Sequence, residues 1–300
     1  MLNLFIALLV IFALFCIVGR LIHRHFVYVP DPTRVAPTDT GLTGVDEIVF
    51  KAADGTRLIA WYRPAETGKP TLLYFTGNRG NVADRAGKID AMGADGYGVF
   101  MLNYRRYGGS DGRPTEARIT SDAVSAYDYL RGLGVAPQDI VAYGESLGTA
   151  VATRLSLQRS VEGLVLEAPF TSVVDIGLLM WPLLPLSLIM VDQYRTIDRI
   201  GEVDVPLFIV HGGRDAVIPL DHARYVFHAA KEPKTLSVIL RASHNDLFEA
   251  GAWAKVREFL ESLKTAPEVT APEVTAPEVT APVVRAGFAV EPAAAADAPR

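Results

Sequence analysis

The chain of 300 residues has one cysteine, Cys16, so no internal disulfide can form, and cysteine usage neither implies nor excludes an oxidising compartment. It has no cluster of Lys and Arg, and its formal net charge is −5, which argues against nucleic acid as a partner. No Lys or Arg precedes the apolar run at residues 2–18, and no small-x-small site follows it, so the marks of a cleaved signal peptide are missing. Small residues are also missing ahead of Cys16, where Leu14 and Phe15 stand, and this speaks against lipidation there.

What stands at the N terminus is a run of about 20 apolar residues, long enough as a helix to cross roughly 30 Å of hydrocarbon. Residues 1–22 are therefore expected to be a single transmembrane anchor. Arg20, Arg24 and Arg34 lie on its C-terminal side, so the positive-inside bias places the main domain in the cytoplasm. Residues 23–43 read as a juxtamembrane linker. At the other end TAPEV occurs three times, followed by TAPVV and an Ala/Pro-rich run. Proline at every fifth residue denies the tail at 265–300 a helix or a central strand, so it is expected to be a disordered spacer with no assigned protein partner.

Between these ends, 50% hydrophobic content supports one large core. Short apolar runs at 71–76, 98–103, 139–143, 164–166, 206–210 and 236–240 alternate with helical patterns, one carrying Ile119, Ala123, Ala126, Tyr127 and Leu130 on a single face. Two further strand-like runs flank the turn at Ala53, Asp54 and Gly55. This alternation predicts an α/β domain over 44–264, with a mostly parallel sheet covered by helices on both faces and sites at the carboxyl ends of its strands.

GESLG, at Gly144 to Gly148, has the spacing of a nucleophilic serine on a strand-to-helix elbow, although an ordinary strand–turn–helix junction with a capping serine would read the same. Partners decide between these. A serine hydroxyl needs a base, and the base needs a carboxylate to hold its tautomer. Among the histidines after Ser146, His222 and His228 fall within a helical run, and His211 precedes every plausible acid in the loop that follows it. His244 lies in a polar loop after the last strand. For the acid, Asp215 follows a strand directly, whereas Asp204 precedes one and Asp221 and Asp246 resemble helix N-caps. Ser146, Asp215 and His244 thus form the expected triad, with the backbone N–H groups of Leu147 and Asn78 as oxyanion donors.

With these residues assembled, the chain resembles an α/β-hydrolase of the membrane-anchored Bem46 and ABHD13 type. The similarity rests on FTGNRGN, NYRRYGGSDGRPTE, GESLGTA, EAPFTS, HGGRDAVIP and SHND. Two positions depart from that pattern: Thr76 stands where histidine is usual and Arg106 where glycine is common. The apolar stretch at 176–191, with Trp181 and Leu184, falls where this fold inserts a cap. Thr76, Trp181 and Leu184 are the expected substrate-binding residues.

The expectation is a membrane-tethered serine hydrolase acting on an ester, thioester or amide, with a small-molecule or lipid-like acyl substrate. It needs no metal or organic cofactor. A serine peptidase of the same fold is the alternative within the class, and a catalytically silent, membrane-tethered binding module is the alternative outside it.

Overall fold

Strands buried on both faces read as continuous apolar runs, since both sets of side chains meet a helical layer. The computed structural model describes residues 1–264, and in them eight strands build the main sheet: β1 Asp46–Lys51, β2 Arg57–Arg63, β3 Thr71–Phe75, β4 Gly98–Asn103, β5 Ile140–Glu145, β6 Gly163–Glu167, β7 Leu207–Gly212 and β8 Lys234–Ile239. Their spatial order is β8-β7-β6-β5-β3-β4-β2-β1. β2 is antiparallel to both β1 and β4, and every other neighbouring pair is parallel. Besides the single turn Arg24–Val27, the α-helices are α1 Leu2–Ile22, α2 Ala86–Ala94, α3 Glu116–Gly132, α4 Leu147–Ser156, α5 Val173–Met180, the single turn α6 Leu186–Ile189, α7 Leu220–Ala229 and α8 Trp253–Leu263.

The period of two along each strand divides the side chains between two cores. Leu73, Phe75, Ala142, Leu164 and Ile209 join one with α3 and α4. Leu72, Tyr74, Val141, Val165 and Phe208 join the other with α2 and α8. On α3 the residues Ile119, Ala123, Ala126, Tyr127 and Leu130 form the buried face that their spacing predicts. The fold expected from sequence is the one observed.

Two local expectations differ. The last helix begins at Trp253 rather than near 246, because Phe248–Ala252 forms a wider π turn in which Gly251 takes φ 108°, a value that only glycine adopts without strain. The loop carrying His244 is correspondingly longer.

Residues 23–43 are not a free linker. Val27, Tyr28 and Leu42 are buried, and Val29–Pro30 pairs in parallel with Arg79–Gly80, the loop after β3. Arg24 donates to Asp192 through Nε and Nη2 at 2.8 and 3.2 Å, and Tyr28 donates its hydroxyl to the same carboxylate at 3.0 Å. Asp192 follows the cap, so the chain leaving α1 is tied to the cap and to the sheet. Met1–Thr265 is one compact unit. α1 has no buried residue, and its mean hydropathy of 2.9 over a membrane-spanning length makes it the one such helix among the described residues. The TAPEV repeats lie outside the described residues.

Candidate active site

The strand β5 delivers Ser146 to a turn so tight that its backbone takes φ 51° and ψ −117°, a conformation few non-glycine residues adopt. The flanking glycines make that turn possible. A Cβ on Gly148 would lie 2.0 Å from the Phe75 carbonyl oxygen, and one on Gly144 would lie 2.4 Å from the Gly148 oxygen. Ser146 donates its own N–H to Glu167 O at 2.9 Å, and its carbonyl accepts from Thr149 N at 2.9 Å, so its main chain is fixed from both sides. The N–H of Leu147 opens α4 and has no hydrogen-bond partner among the described residues. The positive end of a helix dipole adds to the pull of that free donor on negative charge.

The sheet brings Ser146, Asp215 and His244 together from three strand ends. His244 Nε2 lies 3.1 Å from Ser146 Oγ, and His244 Nδ1 lies 2.7 Å from Asp215 Oδ2. Asp215 is buried, and its other oxygen accepts from Val217 N and Ile218 N, both at 2.8 Å. Burial alone would push the Asp215 carboxyl up. The hydrogen bond and charge of His244 and the Ile218 N–H outweigh it and hold the group below the usual carboxylate value. An ionised carboxylate only accepts, so Nδ1 carries the imidazole proton and Nε2 is left as an acceptor towards Ser146.

His211, at the end of β7, is fully buried and lies beneath this pair. Its Nδ1 is 3.0 Å from Gly212 O, and its Nε2 is 3.9 Å from Asp215 Oδ2 with no hydrogen-bond partner among the described residues. Burial lowers its pKa below the ordinary value and keeps it neutral. Asp246 shapes the histidine loop by accepting from Ser243 N at 2.6 Å. Asp221 is not a cap: it lies in the first turn of α7 behind Pro219, exposed, and pairs with Arg224 at 2.9 Å.

The Asn78 loop is held from outside by the segment that leaves α1 and by Tyr107. Asn78 Nδ2 donates to Val27 O at 2.8 Å, and Asn78 O accepts from Val29 N at 3.0 Å and from Tyr107 Oη at 2.6 Å. Its main-chain N–H has no partner among the described residues.

Beneath the elbow is a charged cluster that sequence reading missed. Lys88 Nζ donates to Glu145 Oε2 at 2.8 Å, Glu167 Oε1 at 3.0 Å and Tyr74 Oη at 3.2 Å, and Arg85 Nη2 donates to Glu145 Oε1 at 2.9 Å. Burial disfavours the charge on Glu145, yet Lys88 and Arg85 hold it well below the usual carboxylate range. These charges scatter singly along the sequence, and only the sheet order collects them.

A cavity of about 750 Å³ opens at Ser146 and Leu147. Trp181 and Leu184 from the cap line it, as do Phe15, Val18 and Ile22 from α1. Thr76 does not: it is buried beside the loop, and its carbonyl accepts from Tyr104 Oη at 2.9 Å. The structure thus places Thr76 apart from Trp181 and Leu184, the other two expected substrate-binding residues, which do line the cavity.

No family model matches the chain. It is 37% identical over 226 residues to the uncharacterised protein Rv2307c of Mycobacterium tuberculosis, covering 74% of this chain and 80% of that one. It is 33% identical over 248 residues to the α/β hydrolase domain-containing protein WAV2 of Arabidopsis thaliana, with the same two shares. Among solved structures, the Pyrococcus furiosus esterase Pf2001 superposes with a TM-score of 0.62 at 19% identity, over 78% of this chain and 98% of that one. By sequence relationship and by fold, the chain belongs to the α/β-hydrolase superfamily.

Proposed function

We propose that the protein is a membrane-tethered serine hydrolase of the Bem46 and ABHD13 type that cleaves a carboxylic ester or thioester through an acyl-enzyme on Ser146. The observation that carries this reading is the continuous hydrogen-bonded line from Ser146 Oγ through the His244 ring to Asp215. An apolar cavity at the nucleophile favours an acyl chain over a peptide. The apolar length of α1 favours a membrane anchor, with the positive-inside bias placing the domain in the cytoplasm.

In this mechanism Ser146 Oγ attacks the acyl carbonyl carbon while its proton passes to His244 Nε2. The carbonyl electrons move onto oxygen, where the N–H groups of Leu147 and Asn78 receive the charge. The Ser146 N–H is already given to Glu167 O, so it contributes no donor. Collapse expels the alcohol or thiol, which takes the proton from His244. Water then enters, loses a proton to His244 and attacks the acyl-serine, and the released Ser146 oxygen recovers that proton. Asp215 holds the ring and stabilises its charged form.

The test is hydrolysis of p-nitrophenyl acyl esters by the full chain and by Ser146→Ala. Turnover should fall on the order of a million-fold in the variant with the fold intact. A variant retaining near wild-type rates would overturn the assignment.

A further inference from the structure

The helix that would cross the membrane also walls the reaction cavity. Phe15, Val18, Gly19 and Ile22 line the space that Ser146 and Leu147 share. Their spacing of three, four and seven residues puts them on one face of α1. At 1.5 Å per residue, α1 spans roughly 31 Å, close to the thickness of the hydrocarbon, and its lining residues occupy about the last 10 Å towards the domain. In a bilayer, those turns lie at hydrocarbon depth in the near leaflet.

The cap shares that depth. Gly19 approaches α6 so closely that a Cβ there would lie 2.8 Å from Ile189 Cγ2. Phe26 and Trp181 pack edge to face with centroids 6.3 Å apart. Around this contact Leu179, Met180, Leu183 and Leu188 present large apolar side chains outward, Leu183 at 95% exposure. Such a patch, continuous with an apolar helix of membrane-spanning length, is an interaction surface for lipid.

We propose that the last turns of α1 are one wall of the acyl-binding site, and that the substrate is a long-chain acyl ester resident in the same bilayer. Its chain enters sideways from the near leaflet, along α1 and the cap, and its carbonyl reaches Ser146 without crossing bulk water. This inference rests on the serine-hydrolase reading. The chemistry at Ser146 is unchanged, with the alcohol leaving first and water then releasing the fatty acid.

The full chain is reconstituted in phosphatidylcholine vesicles and given 4-methylumbelliferyl palmitate in the bilayer or 4-methylumbelliferyl butyrate in the water. Val18→Trp and Ile22→Trp fill the cavity from the lining face, and Ile17→Trp, about 150° round the helix from the middle of that face, leaves it open. The palmitate-to-butyrate rate ratio should fall about tenfold or more in both lining variants. It should hold in Ile17→Trp. A ratio unchanged in the lining variants, or lowered equally in Ile17→Trp, overturns the inference. So does a wild-type protein that cleaves butyrate and leaves bilayer palmitate intact.

Brominated acyl chains give a readout on the unaltered protein. They should quench the fluorescence that Trp181→Phe removes, and its persistence would show that the cap does not enter the leaflet. Butyrate cleavage that survives Ser146→Ala would instead defeat the underlying mechanism, so the two failures are distinct.

Discussion

The side-chain amide of Asn78 donates to the carbonyl of Val27 at 2.8 Å, joining the loop expected to receive the oxyanion to the segment that leaves the apolar helix. Removing that tie by Asn78→Ala leaves the main-chain N–H in place but frees the loop to move. We expect kcat on a short acyl ester to fall about tenfold to a hundredfold with little change in KM, short of the full loss of a donor. Steady-state kinetics with the full chain measures it, and an unchanged kcat would show that the tie to Val27 does not position the oxyanion loop.

Lys88 is the hub of the charged cluster under the elbow, bonded to Glu145 and Glu167 at 2.8 and 3.0 Å. Lys88→Met leaves two carboxylates facing each other with only Arg85 to compensate. Breaking a buried pair on one side costs about 3–5 kcal/mol. Chemical denaturation should report that loss, and activity should fall with it because Glu145 is the residue before Ser146.

Acid should destabilise the domain in two stages. Burial lowers the pKa of His211, and of His222 in the same way, so the unfolded chain binds these protons more readily than the folded one. Their contribution to stability is complete above about pH 6.5 and declines as pH falls from there towards the lowered folded values. Asp215, also held below its ordinary value, adds stability that is present above about pH 3.9 and lost as pH falls through its folded pKa. Denaturation midpoints about one unit either side of pH 6.5 should differ less in His211→Gln than in the wild type. Asp215→Asn removes the charge that favours protonated His211, so it should deepen that first stage, and it should lower turnover about ten-thousand-fold.

Arg106 is exposed and takes φ 72°, in the left-handed region. An L-residue pays roughly 1–2 kcal/mol there, and glycine gives back about half in chain entropy. Arg106→Gly should therefore raise stability by on the order of 1 kcal/mol, or about 2–4 °C in Tm for a domain of this size. A thermal melt of the two proteins decides it.

Much of this architecture is legible in the sequence because its signals are local. Leu72 to Phe75 and Leu207 to Val210 are uninterrupted apolar runs, and Ser146, Asp215 and His244 each come soon after a strand of the sheet, so the sheet order suffices to bring them together. What was illegible is held by distant contacts. The pairing of Val29–Pro30 with Arg79–Gly80 is two residues long and includes a proline, so it carries no periodicity to detect. His211 ends the same strand that Asp215 follows, yet its burial behind that carboxylate depends on how β7 packs. The cluster of Arg85, Lys88, Glu145 and Glu167 draws on the turn Val82–Arg85, α2, β5 and β6, and isolated charges in sequence resemble a solvated surface. Thr76 was expected beside the substrate, while in the fold it is buried outside the cavity lining with its carbonyl bonded to Tyr104 Oη.

The register of Val29 with Arg79 fixes the phase of the N-terminal helix as well as its distance from the sheet. A helix that only set distance would tolerate an inserted residue. Here one added residue between Ile22 and Val27 would rotate the helix by about 100° about its axis relative to the domain and turn Val18 and Ile22 out of the cavity. The N-terminal helix is therefore not an interchangeable cassette: a foreign apolar helix grafted ahead of Val27 must match this one in rotation as well as in length.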